Sequence, residues 1–144
     1  MKVERSVQAV AVVFIVLALG MIYLGSQVNS LQARVEKLEW MVIRVSVTID
    51  NGSGSRTEVV YLTRGATALE ALNRVAAVGT KLYSFGVFVT SIDGIANVPE
   101  NHMYWMFYTW NAKENKWGAI PVGVGKYELS DGENFKASYE RVVW

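Results

Sequence analysis

The residue types that most often carry enzyme chemistry are sparse in this sequence. Cysteine is absent, which excludes a disulfide framework, a thiolate zinc site and a thiol nucleophile. The single histidine, His102, excludes a histidine-rich metal site; it follows Asn97-Val98-Pro99-Glu100-Asn101 with no nucleophile motif beside it, so nothing in the sequence marks a Ser-His-Asp triad. The 13 Asp and Glu residues are scattered singly, and no two stand out as a glycosidase couple. Gly123-Val124-Gly125-Lys126 resembles part of a phosphate loop, but the full glycine spacing and the Ser or Thr after the lysine are missing. No catalytic or metal-ligating residue is assigned, and the sequence gives an enzyme no support.

Aromatic side chains are the chemistry in good supply. Tyr104, Trp105, Phe107, Tyr108, Trp110 and Trp117 fall within one expected hairpin, too many for all of them to be central core. Strand alternation puts Tyr104, Met106 and Tyr108 on one face and Trp105, Phe107 and Thr109 on the other. One set belongs to the core. The other, with Trp110 and Trp117 at the hairpin tip, is an apolar surface for a ligand or a partner.

The elements that must hold this surface begin in lipid. Of the 144 residues 51% are hydrophobic and the mean hydropathy is +0.20, high for a wholly soluble chain. The 14 Lys and Arg against 13 acids leave a net charge of +1, without the one-sign field of a nucleic-acid binder. The apolar excess is concentrated in Val7 to Gly25, which carries no charge. As a helix rising ~1.5 Å per residue it is ~28 Å long, matching a bilayer core of ~30 Å. A cleaved signal peptide is the main competing reading, because Lys2 and Arg5 precede the run; a buried soluble helix is another. An uncleaved anchor in contact with lipid over residues 7–25 fits the length best, and the basic lead fits an N-inside, C-outside orientation.

Past the anchor, Met21, Leu24, Val28, Leu31, Val35, Leu38 and Val42 follow a three-four spacing, the seam of a coiled coil. The seam predicts a stalk over residues 26–41 that joins copies into a homo-oligomer through Val28, Leu31, Val35 and Leu38. The alternative is a single amphipathic helix lying on its own domain. From Ile43 the period changes to two, Asn51-Gly52 marks a hairpin turn, and Thr57 to Leu62 returns. Asn51-Gly52-Ser53 is also an N-glycosylation acceptor, placing Asn51 as a candidate modification site as well as a turn residue. Thr67-Ala68-Leu69-Glu70 has capping-box spacing, so a short helix begins there, and Gly79 is expected to end it in a left-handed conformation. Strands follow at Phe85 to Ile92, Met103 to Trp110 and Phe135 nearly to Trp144. The expected fold is α+β: a β-grasp-like, mostly antiparallel sheet with one packed helix over residues 42–144. A transmembrane segment at 1–25 and a helical stalk precede it.

The stretch Ser84-Phe85-Gly86-Val87-Phe88-Val89-Thr90-Ser91-Ile92-Asp93-Gly94-Ile95-Ala96, then Tyr104-Trp105, Gly123-Val124-x-x-Tyr127 and Asp131-Gly132-Glu133, resembles the C-terminal β-domain of the cobalamin carriers transcobalamin and intrinsic factor. The resemblance spans roughly Ile43 to Trp144 and suggests a membrane-anchored, prokaryotic-type member. It implies a β-grasp-like domain that closes over the upper face of a corrinoid through the segment matching Ser84, Phe85, Gly86 and Val87 and the neighbourhood of Trp105. The carriers' large helical domain has no counterpart in this sequence, and Trp110 and Trp117 lie in a longer hairpin than theirs.

Three functions remain. The first is an extracytoplasmic binding module on a single-pass membrane anchor, recognising a small apolar or corrinoid-like ligand, or a surface or transporter protein, through Ser84, Phe85, Gly86, Val87, Trp105, Trp110 and Trp117. The second is an assembly subunit of the envelope built on the stalk and the aromatic hairpin; the third is an unrecognised hydrolase. The orientation is open to a direct check: a protease added outside intact cells should digest residues 42–144, and a protected domain would reverse the assignment.

Overall fold

Where apolar residues recur every third and fourth position the chain is helical, and where they recur every second it is extended. The computed structural model describes residues 2–143; Trp144 and the side chains of Lys2 and Arg5, which the sequence reading places at the end of the last strand and before the anchor, lie outside the described residues. Helix α1 runs unbroken over Lys2–Met41, with no interruption between residues 25 and 26 where anchor and stalk are expected to meet. Its Val7–Met41 stretch is long and apolar enough to cross a membrane by length and composition. The chain divides into two compact units between Trp40 and Met41.

In the second unit, strand β1 (Val42–Asp50) buries Ile43, Val45, Val47 and Ile49 while the residues between them stay partly or wholly exposed. It turns at Asn51, whose side-chain oxygen accepts from the backbone N–H of Ser53 and of Gly54, each at 2.9 Å. Strand β2 (Ser55–Thr63) then pairs antiparallel along the whole of β1. The expected hairpin is there, with Gly52 supplying the positive φ of +81°.

Helix α2 (Ala68–Val75) begins with the expected capping box. Thr67 N–H donates to Glu70 Oε2 at 2.6 Å and Glu70 N–H donates to Thr67 Oγ1 at 3.4 Å, each pairing an otherwise orphaned donor. Ala68, Ala71 and Leu72 are its buried face, packed on β1 and β2. Its end differs from the sequence reading. The helix stops at Val75 on an extended Ala76, and Gly79 lies inside strand β3 (Val78–Tyr83). Glycine leaves room there for a neighbour: a Cβ on Gly79 would sit 2.3 Å from Ser91 Oγ on the paired strand, so that hydroxyl would have to move.

β3 is the element the sequence reading lacks, and it changes the architecture. Its outer half is exposed at four successive residues, so it carries no alternation to read. Together with β4 (Gly86–Ile92) and β5 (Ile95–Ala96) it makes a separate three-stranded antiparallel sheet. After one 3-10 turn at Pro99–Asn101, where His102 takes a φ of +57°, come β6 (Met103–Asn111), β7 (Lys116–Ala119) and β8 (Asn134–Arg141). With β1 and β2 they form a five-stranded sheet in the order β2-β1-β8-β6-β7. The result is mixed α/β with two mostly antiparallel sheets where one was expected.

Only the β1–β8 pairing is parallel, Ser46 opposite Asn134 through Asp50 opposite Ser138. It places the last strand between β1 and β6, where Phe135, opposite Val47, and Ala137, opposite Ile49, are fully buried. Each such large apolar side chain stabilises the fold by about 1.5–3 kcal/mol. β6 is internal, pairing with β8 on one side and β7 on the other, in keeping with its almost unbroken apolar run.

The turn joining β4 to β5 is tied down electrostatically. Asp93 accepts from Ala77 N–H at 2.9 Å and from Arg56 Nη2 at 2.6 Å, and Arg56 also donates to the Val75 carbonyl and pairs with Glu58. The backbone hydrogen bond from Ala77, with the Arg56 guanidinium beside it, holds the Asp93 carboxyl below its ordinary 3.8 against some desolvation. A carboxyl whose folded value is depressed stabilises the fold above its unfolded value, and that contribution is lost as pH falls through the folded one. The melting temperature of the domain should therefore fall as pH drops below about 5, and Asp93→Asn should flatten part of that fall. An unchanged acid limb in the variant would remove Asp93 from the account.

Candidate functional site

An apolar cleft of about 480 Å³ opens where the β3–β4 hairpin, strand β6 and the loop segment Gly123–Lys126 meet. Each wall is held by a different device. The hairpin wall brings Leu82, Phe85, Gly86, Val87, Phe88 and Val89. Its rim is aromatic: Tyr83 stacks on Phe85 with centroids 5.1 Å apart and meets Phe88 edge-on at 6.1 Å. Phe85 itself is 67% exposed, an unusual position for a phenylalanine with no partner on its outer side to cover it.

The floor is β6, through Trp105, Met106 and Phe107. Trp105 is 4% exposed, so it is at once core and cleft wall. Its indole N–H donates to the Ile95 carbonyl at 2.8 Å and its ring lies 5.2 Å from that of Tyr139. Asn97 completes the joint. Its amide nitrogen donates to the Val89 carbonyl at 2.8 Å and its amide oxygen accepts from Trp105 N–H at 2.9 Å, so one side chain ties β4 of the small sheet to β6 of the large one. Tyr139 O–H adds a bond from β8 to the Ala96 carbonyl at 2.9 Å.

The third wall is docked to the start of α2. Ala68 N–H donates to the Tyr127 carbonyl at 2.8 Å and Leu69 N–H to the Val124 carbonyl at 3.0 Å. Glu133 anchors the same segment from behind, its carboxylate accepting from Tyr127 O–H at 2.7 Å, Thr109 O–H at 2.6 Å and Ser130 N–H at 2.8 Å. Burial, then the hydrogen bond to Glu133, raises the Tyr127 phenol above its ordinary 10.0, so it stays a proton donor. Two glycines keep the walls close: Gly86 has a φ of +130°, and a Cβ on Gly125 would touch Val87 at 3.4 Å. Lys126 is the one charged side chain among those lining the cleft.

Of the residues expected from sequence, the structure brings Phe85, Gly86, Val87 and Trp105 together here. Ser84 is exposed in the turn before β4 and does not line the cleft. Trp110 and Trp117 do not reach it either. They face each other across β6 and β7, centroids 5.4 Å apart, with the Lys136 ammonium 4.8 Å from the Trp117 ring. Trp105 and Phe107 form the inward set of the aromatic strand. On the other face Tyr108 donates to Glu140, and burial followed by that bond pushes its phenol up to about 12. Asn51 is exposed, its side-chain oxygen engaged in the turn.

Sequence reading missed Asn97 and did not place Gly123–Lys126 at the site. That segment was visible as an incomplete phosphate loop and, through Gly123-Val124, as part of the likeness to the cobalamin carriers; nothing local to Asn97 reports a partner eight residues away on each side. Among the described residues no three acids or histidines converge as a metal site.

Residues 65–141, more than half of the chain, match the family described as Domain of unknown function (DUF4430), and the chain belongs to that family. No curated protein matches it in sequence. Among solved structures it is similar to haptocorrin in complex with Cbi, at 16% identity and a TM-score of 0.63, over 71% of this chain and 26% of that one. It is also similar to a candidate metal-binding protein from Ruminococcus gnavus ATCC 29149, at 17% identity and a TM-score of 0.53, over 70% of this chain and 99% of that one. This chain thus spans about a quarter of haptocorrin's length, and at these identities the likeness is one of fold.

Removing the Asn97 amide would leave the Val89 carbonyl and the Trp105 N–H without their partner. Asn97→Ala should cost about 2–3 kcal/mol in denaturant unfolding and shift Trp105 emission toward that of a solvated indole. A loss within about 0.5 kcal/mol would show that the amide is not what joins the sheets.

Proposed function

We propose that this DUF4430 member is a membrane-tethered binding module whose C-terminal domain, outside the cytoplasm and β-grasp-like in kind, lays its cleft against one face of a flat, largely apolar ligand of corrinoid type. The observation that carries the reading is the convergence of Phe85, Gly86, Val87 and Trp105 on one cleft, the residues that the likeness to the cobalamin carriers singles out. A volume of about 480 Å³ is within the usual range for small-molecule sites, with apolar walls and one cation at Lys126 to meet a polar substituent. The exposed Phe85–Tyr83 stack gives a ring ligand a surface to extend. The apolar stretch of α1 supports the tether, and the basic residues before it support the orientation.

A cleft of this size covers part of a corrinoid and leaves the rest in water, so affinity is modest unless a surface or transporter protein closes over the other side. No catalytic step is assigned: the cleft holds no acid, histidine or hydroxyl nucleophile among its lining residues.

The domain from Met41 onward has its own buried core and can be titrated alone. Cobalamin should quench its tryptophan emission saturably, with a Kd in the micromolar range of about 1–100 μM. Phe85→Ala should weaken binding by about tenfold, and Trp105→Phe should remove most of the signal while the domain stays folded. No quenching at ~100 μM cobalamin removes the corrinoid reading and leaves a protein occupant for the same surface.

A further inference from the structure

The face that α1 presents beyond residue 26 has a chemistry more specific than an apolar stripe. With Val28 as heptad position a, the a positions are Val28 and Val35 and the d positions are Leu31 and Leu38. Leu24 extends the seam by one d position; Val42, next in the spacing, is already in β1. The helix is unbroken through all of these residues, so the phase is kept. In the single chain the four side chains are 51–62% exposed, and Val28, Leu31 and Val35 border a shallow hollow of about 430 Å³ with Gln32 and Glu36. Such a recess between neighbouring side chains is what a knob from a facing helix fills.

β-Branched residues at a with leucine at d favour two parallel strands over three or four. The flanking charges agree. Position g is Arg34 and position e of the next heptad is Glu39, and in a parallel pair these face one another across the seam, twice by symmetry. An antiparallel pair sets g against g and e against e, bringing like charges together. The self-complementarity is therefore both steric and electrostatic, and it specifies a second copy of this chain.

We propose that the protein is a parallel homodimer, zipped by Val28, Leu31, Val35 and Leu38 and keyed by reciprocal Arg34–Glu39 pairs between the two copies. Two heptads are short for association from dilute solution; a shared lipid anchor raises the effective concentration of the second helix and makes so short a zipper sufficient. Nothing here depends on what the cleft binds, so a failed cobalamin titration leaves the dimer standing.

The test uses the full chain in detergent micelles, with protein mass measured by sedimentation. Two chains per particle are expected, and the pair of changes Leu31→Asp and Leu38→Asp should give one. Arg34→Glu and Glu39→Arg should each raise the dissociation constant roughly tenfold, since two facing attractions become two repulsions. The double exchange on one chain should restore it, and mixing the two single variants should give mixed dimers in excess over like dimers. Three chains per particle, a mass unmoved by the aspartates, or a double exchange no better than the singles would overturn the proposal.

Discussion

The cleft exists because one amide reaches two strands. Asn97 receives the backbone N–H of Trp105 and donates to the carbonyl of Val89, and the Trp105 indole answers by bonding Ile95 two residues before it. In a chain without cysteine no disulfide clamps the small sheet to the large one. Hydrogen bonds at a partly buried joint are worth little when satisfied and cost much when one partner is lost. That asymmetry makes the spacing of the two sheets a property of a few polar atoms, and the apolar side chains on either side line whatever space those atoms leave.

The elements that were legible in the sequence are those whose signals are local. The alternation from Ile43 to Ile49, the Asn51-Gly52 turn and the Thr67–Glu70 capping box each depend on neighbours within a few residues, and each is found in place. The split into two sheets was not legible, because β3 has four exposed residues in succession and owes its strand to pairing with β4. Gly79 was misread for a related reason: a glycine after a helix signals a left-handed cap, whereas this one lies where Ser91 crowds it from the next strand. The parallel β1–β8 pairing leaves no local trace at all. Phe85, Gly86, Val87 and Trp105 were named through likeness to a known family; the likeness also contained Gly123-Val124, but the docking of that wall depends on bonds to α2 and Glu133 that only the folded chain brings together.

The two aromatic groups on β6 divide the labour that the sequence assigned to one surface. Trp105 and Phe107 face inward, where Phe107 lies 6.2 Å from Phe135 in a parallel stack. Lys136 lies over the rings of Tyr108 and Trp117, and Trp110 meets Trp117 edge-on, all away from the cleft lining. The cleft lining takes Trp105 and Phe107 from the aromatic strand and leaves Trp110 and Trp117 outside. They belong instead to a cation–π cluster that covers the end of the β6–β7 hairpin.

The position of β8 has a consequence for how the domain comes into being. Its partners β1 and β6 are made first, and β1 meets it in parallel across nearly the whole domain, Ser46 against Asn134. Until β8 is made, the other four strands of the large sheet can pair only as two separate hairpins with bare inner edges, and Val47 and Ile49 lack Phe135 and Ala137 opposite them. Long-range parallel pairing of this kind is slow and leaves sticky edges exposed while it waits. The nascent domain therefore carries two unpaired strand edges until β8 is made and inserts between them.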